Sequence, residues 1–127
     1  MRQIYLTEEH HRRPRFVGGD DSQSNISYVE PHKHKPWHVL FGSLNAFQIA
    51  DRFNTLEFKP EGIKVICEFI NGSPVLKKGN KGSSNKNKID SAWEKLFGKD
   101  KSFKEAIAYT NNVWLDPSYH LRIVPDE

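Results

Sequence analysis

Apolar and polar residues alternate most regularly between Gly62 and Leu76. Ile63, Val65, Cys67 and Phe69 fall on one face of a period-two strand, and Lys64, Ile66, Glu68 and Ile70 fall on the other. One face is fully apolar and the other mixed, the pattern of a half-buried strand, and β-branched residues suit a pleated surface. Asn71-Gly72 follows at once, a pair that readily takes the positive φ of a two-residue hairpin turn. The pattern therefore predicts a central hairpin with a return strand over Ser73 to Lys77. Pro74 has no N–H, which puts that strand at an edge. Ile63, Ile66, Cys67 and Ile70 also match helical spacing, with Pro60 as a possible opening residue. Gly62 and the β-branched run favour the strand.

Upstream, Gln3 to Thr7 reads as a short strand with Ile4 and Leu6 on one side, followed by a dense polar run from Glu8 to Arg15. Phe16-Val17 suggests a second short strand, Asp20 to Asn25 a loop, and Ile26 to Glu30 a strand that Pro31 ends. His32 to His38 leads into Val39-Leu40-Phe41, and the whole segment reads as a strand running to Gly42. Ser43 is placed to cap a helix from Leu44 to Phe53, with Leu44, Phe47, Ala50 and Phe53 on one face.

Downstream, residues 77–88 hold five lysines and two glycines with no acidic or apolar residue, so a mobile surface loop is expected. Ser91-Ala-Trp-Glu94 and Ser102-Phe-Lys-Glu105 have the capping-box form. The first predicts a helix ending at Gly98, the second a helix ending near Asn111-Asn112. Val113 to Leu115 and Tyr119 to Val124 read as strands around an Asp116-Pro117 turn. Strands and helices are segregated rather than alternating. That order implies an α+β fold, with a small antiparallel or mixed sheet and about three helices packed mainly on one face.

The chain has 127 residues, which fits one domain over 1–127 with a flexible basic loop at 77–88. Charged residues make up 28% and hydrophobic residues 36%, so the chain is polar but outside the disordered class. A single cysteine, Cys67, cannot form an intramolecular disulfide and reads as a small buried hydrophobe. No apolar run is long enough to span a membrane and no signal-peptide pattern opens the chain. A cytoplasmic protein is the default expectation. The formal charge of +3 is compatible with a polyanionic partner.

Three groups of residues bear on chemistry. His32, His34 and His38 share parity, so an unbroken strand would present three imidazoles on one face. Imidazole suits a divalent transition metal, and His120 or Glu30 could complete such a site. Lys33 and Lys35 oppose a cation there, and Pro36 interrupts the strand. Without that cluster no cofactor is expected. The His32/His34 pair, followed by a helical Tyr109, resembles the HUH endonucleases of rolling-circle replication over those three residues. That resemblance implies a metal on the two histidines and a tyrosine that attacks a DNA phosphate. The flanking lysines depart from that family's apolar strand, and no lysine follows Tyr109 at the usual offset. Glu57-Phe-Lys59 is half of a metal-dependent nuclease pattern, or else simply a pair of surface charges.

The third group is basic. Arg12, Arg13 and Arg15, Lys33 and Lys35, and Lys77, Lys78, Lys81, Lys86 and Lys88 would form one positive face if the fold gathers them. Lysines on a loop neutralise phosphates without reading bases, and Trp37 lies where it could stack on one. The leading expectation is a small domain that contacts DNA or RNA phosphates, without established cleavage activity. An alternative is a protein-binding module, such as an inhibitor or immunity-type protein of a mobile element or its host, in which exposed Trp37, Trp114 and Tyr119 would form a patch. A third is a metal-dependent enzyme using the histidines. With no nucleophile elbow, phosphate loop or cysteine pair, the balance leans away from an enzyme.

Overall fold

A computed structural model describes residues 6–99 and 102–126. Along the chain run β1 (Glu8–His11), β2 (Ile26–Val29), α1 (Pro31–Phe41), α2 (Ala46–Asn54), β3 (Ile63–Phe69), α3 (Lys86–Phe97), α4 (Phe103–Tyr109) and β4 (Tyr119–Pro125). The α+β class is as expected, but the strands form two separate antiparallel pairs, β1–β2 and β3–β4. No helix among the described residues is long and apolar enough to cross a membrane.

The strand at Ile63–Phe69 forms where alternation placed it, yet its partner is β4, paired from Ile63↔Pro125 to Phe69↔Tyr119. The expected return strand over Ser73 to Lys77 does not form. Gly72 does take a positive φ of 90°, but the neighbouring N–H groups turn to the far strand: Ile70 N donates to the Ser118 carbonyl at 2.7 Å. The reason is hydrogen-bond supply. Pro74 cannot donate to a ladder, whereas β4 has residues for every position of β3. Val75 instead donates its N–H to the Tyr119 hydroxyl at 2.9 Å and is buried.

Residues 31–41 are a helix, not the strand their parity suggested. Pro31 sits in the first turn, where its fixed φ costs nothing. Helical spacing then buries Trp37, Leu40 and Phe41 together. Pro36 removes one backbone bond from the helix interior, and its ring is buried. Gly42 stops the helix at φ 54°. A Cβ there would lie 2.3 Å from the Asn80 carbonyl oxygen, so only glycine fits.

The other boundaries move for capping reasons. Asn45, not Ser43, caps α2, with Gln48 completing the box. Asn85 caps α3 by accepting from Lys88 N at 3.1 Å, so Ser91 falls inside that helix. Gly98 ends α3 and Ser102 caps α4, both as the sequence implies. Past α4 a π-helical turn, Thr110–Trp114, replaces the expected strand at Val113 to Leu115. Phe16-Val17 belongs to a 3-10 turn. Residues 3–5 of the expected first strand lie outside the described residues, and β1 comes from the polar run instead.

The lysine segment is strapped down rather than loose. Asn45 Nδ2 donates to the Lys77 carbonyl at 2.9 Å, Ser43 N to the Asn80 carbonyl at 2.9 Å, and Ser83 N to the Val39 carbonyl at 2.6 Å. Cβ atoms at Gly79 and Gly82 would sit 1.8 and 2.1 Å from the Ser43 and Val39 carbonyl oxygens. The two glycines therefore let this segment lie flat on the α1–α2 corner.

The core gathers Trp114, Phe41, Phe53, Phe97, Leu96 and Leu121. Cys67 packs at its edge, where burial, followed by the charges of Asp116, Asp51 and Glu68, pushes its thiol up to about 12. At pH 8 only about one thiol in 10,000 would be ionised, and thiolate is the reactive form. Iodoacetamide should therefore label the folded protein orders of magnitude more slowly than the urea-unfolded chain. Equal rates would place Cys67 in solvent.

Candidate metal centre

β1 and β2 run antiparallel with His10 opposite Ser27, and α1 packs across β1. The loop joining the two strands is tied by the buried Asn25. Its side-chain oxygen accepts from Arg13 N at 2.7 Å, and its amide donates to the Arg13 and Asp20 carbonyls at 3.0 and 2.8 Å. Gly19 closes the same turn, where a Cβ would fall 1.7 Å from the Arg13 carbonyl oxygen. This small frame fixes where His10 points.

His10 is 2% exposed. It lies edge-on to Trp114 at 5.0 Å between ring centroids, and Trp114 stacks on Trp37 at 4.9 Å. Its partners on α1 are His34 and His38, one helical turn apart and so on one face. The three side chains offer ligand atoms within 4.8 Å of one another. His32 is not among them; it points away and pairs with Glu30 at 3.0 Å. The expected trio of His32, His34 and His38 is thus replaced by His10, His34 and His38, because a helix repeats every 3.6 residues and not every two. Neither Glu30 nor His120 joins the cluster.

The hydrogen bonds decide which ring nitrogens carry hydrogen. His10 Nε2 lies 2.9 Å from the Trp114 carbonyl oxygen, which can only accept. Its Nδ1 is therefore a bare lone pair, and it is buried with no partner. His38 Nδ1 lies 3.0 Å from the Gly42 carbonyl oxygen, and His34 Nδ1 3.2 Å from Glu8 Oε1. That leaves His34 Nε2 and His38 Nε2 as lone pairs facing each other at 3.0 Å. Two acceptors at that distance repel unless a proton or a metal cation lies between them. A proton is disfavoured at His10 and His38. Burial, first, pushes His10 down to about 3, with His38, His34 and Arg12 adding repulsion and the Trp114 carbonyl opposing it. Burial likewise lowers His38, partly offset by the Gly42 carbonyl.

A divalent transition metal resolves both problems. Three neutral imidazoles suit zinc, nickel, copper or iron, and leave a coordination position for water or substrate. Each histidine already donates its second nitrogen to a carbonyl or carboxylate, the outer-shell arrangement that orients metal ligands.

Other expected site residues are spent elsewhere. Arg12 donates to the Leu115 and Asn111 carbonyls at 2.7 and 2.8 Å, and its guanidinium is held below its ordinary range, chiefly by burial. Arg13 Nε donates to Asp116 at 2.5 Å. Arg15 pairs with Asp21 at 2.6 Å. Trp37 is 2% exposed and cannot stack on a base. Trp114 and Tyr119 are buried too, so these three rings form no exposed patch. Lys33 lies over the Tyr109 ring, which also packs edge-on to Phe97. Lys77 lies over Phe16, Lys78 and Lys81 are exposed, and Lys86 pairs with Glu57 at 3.0 Å. Lys59 donates to the Ile63 carbonyl at 2.5 Å, so Glu57 and Lys59 do not converge on a cation. The early arginines are thus interleaved with carboxylates and carbonyls, whereas in the lysine segment only Lys86 pairs with a carboxylate among the described residues.

Sequence reasoning missed His10 and Asn25. His10 has no periodicity around it, only a polar run. The signal that could have found the pair on α1 was His34 and His38 at i, i+4, together with Trp37, Leu40 and Phe41 at helical spacing behind Pro31. Against protein-family models, curated proteins and solved structures, the chain has no match.

Proposed function

We propose that the chain is a metal-dependent hydrolase that cleaves phosphodiester bonds in DNA or RNA. His10, His34 and His38 hold the metal. The observation that carries this is the convergence of three imidazoles whose ligand atoms lie within 4.8 Å of one another, with His10 Nδ1 buried and without a partner. A bound metal at such a site lowers the pKa of its water and polarises a phosphoryl oxygen. Neutral ligands leave the full charge of the cation available to an anionic substrate, and the net charge of +3 favours the approach of one.

The protein supplies the frame. His11 follows His10 and closes β1. Its Nε2 lies 2.8 Å from Asp21 Oδ1, and Arg15 holds the same carboxylate. Adjacent strand residues point to opposite faces, so His11, Asp21 and Arg15 lie on the side of β1 away from the cluster and brace the β1–β2 loop.

The direct test uses protein purified without a histidine tag. Elemental analysis should find about one equivalent of a transition metal. Chelation should abolish cleavage of a DNA or RNA oligonucleotide, and zinc, nickel or manganese should restore it. Cleavage that survives chelation and metal-free dialysis would end the proposal.

A further inference from the structure

α1 has a second functional face. His34 and His38 line one side, while Lys35 and Val39 lie about 100° around the axis. That side opens on a groove of about 530 Å³ between α1 and α3. Its floor includes Pro36, Val39 and Ala92, and its rim carries Lys35, Lys88 and Lys95. No carboxylate lines the groove. The three lysines are exposed and, among the described residues, make no ion pair. Elsewhere cations and carboxylates sit together, as in the pairs Arg13–Asp116, Arg15–Asp21, Lys86–Glu57 and Arg122–Glu68. Lys35, Lys88 and Lys95, by contrast, gather without a carboxylate around one apolar trough.

Lys88 and Lys95 are two turns apart on α3, about 10 Å along the axis. That spans about three steps at about 3.4 Å per charge along one strand of a duplex. The apolar floor suits sugar and base faces, which need no hydrogen-bond partner. We infer that this groove takes the sugar-phosphate backbone of the nucleic acid beside the bond being cut, with Lys35, Lys88 and Lys95 on its phosphates. The inference rests on the hydrolase reading above and adds a path for the substrate. The strand lies along α3 and crosses α1 to reach the metal. Lys35 stands at the crossing, and Lys88 and Lys95 lie farther out.

The test replaces all three lysines with glutamine in the full chain (K35Q, K88Q and K95Q together). Binding of a labelled single-stranded DNA oligonucleotide is followed against salt with the metal chelated, and zinc affinity and hydrolysis of bis(p-nitrophenyl) phosphate are measured alongside. The slope of log affinity against log salt should fall by about two units, at about 0.7 per lost phosphate contact. Zinc affinity and hydrolysis of the small diester, which is too short to reach the groove, should not change. An unchanged slope overturns the inference. So does a triple variant that keeps its DNA affinity but loses binding to poly-glutamate, since the groove would then take an acidic protein. Failure of the wild type to hydrolyse the small diester with any metal overturns the hydrolase reading, and the salt slope still decides the groove.

Discussion

His34→Ala and His38→Ala should each lower zinc affinity by two to three orders of magnitude, whereas His32→Ala and His120→Ala should leave it unchanged. Structural zinc sites bind with about 10–16 kcal/mol over four ligands, or roughly 2.5–4 kcal/mol for each. A factor of ten is about 1.4 kcal/mol. His34 is half-buried and His38 exposed, so the variants should fold and circular dichroism should confirm it. Glu8→Gln gives an intermediate case. It keeps the shape of the group on His34 Nδ1 but removes its charge, and outer-shell changes of this kind typically cost about 10- to 100-fold. Titration calorimetry should therefore rank the losses as ligand, then Glu8, then His32 with none. A His32 variant that loses metal while the His34 variant keeps it would place the cation elsewhere.

Arg13→Met should destabilise the fold by roughly 3–5 kcal/mol, the usual result of removing one partner of a buried ion pair. The Arg13 and Asp116 side chains are 12% and 5% exposed. Arg13 also donates to the Ser73 hydroxyl at 3.0 Å, so one guanidinium joins the β1–β2 loop, the segment after β3 and the turn before β4. Without it Asp116 keeps a buried charge whose remaining partner is the Ser118 N–H at 3.0 Å. Adding Asp116→Asn should recover part of the loss, because an amide is cheaper to bury than a carboxylate. Urea denaturation of the two single variants and the double variant measures this as a cycle. The sequence alone points to a different result, weaker DNA binding at full stability. That outcome would return Arg13 to the surface.

The histidine cluster keeps two of the three members the sequence suggested and exchanges the third. The segment from Pro31 to Gly42 contains a histidine triplet with strand parity, and also a helical pair, His34 and His38, beside a helical apolar set. Parity favoured the strand, even though Pro36 interrupts it. In the fold, the burial of Trp37, Leu40 and Phe41 against Trp114 outweighs the one backbone bond that Pro36 forgoes. Once the segment is helical, His32 turns away and the third imidazole must come from another element.

Local chemistry in the chain was sufficient for the strands at Ile63–Phe69 and Tyr119–Pro125, the stop at Gly98, the serine cap of α4 and the α+β class. Each depends on residues within a few positions of one another, where period, caps and turn preferences act. The pairing of β3 with β4, the strapping of the lysine segment and the burial of Arg12 and Arg13 depend on which distant groups can satisfy a donor or a charge. So does the meeting of His10 with His34 and His38. Those choices are made by packing and hydrogen-bond supply across the whole molecule, and no window of sequence contains both partners.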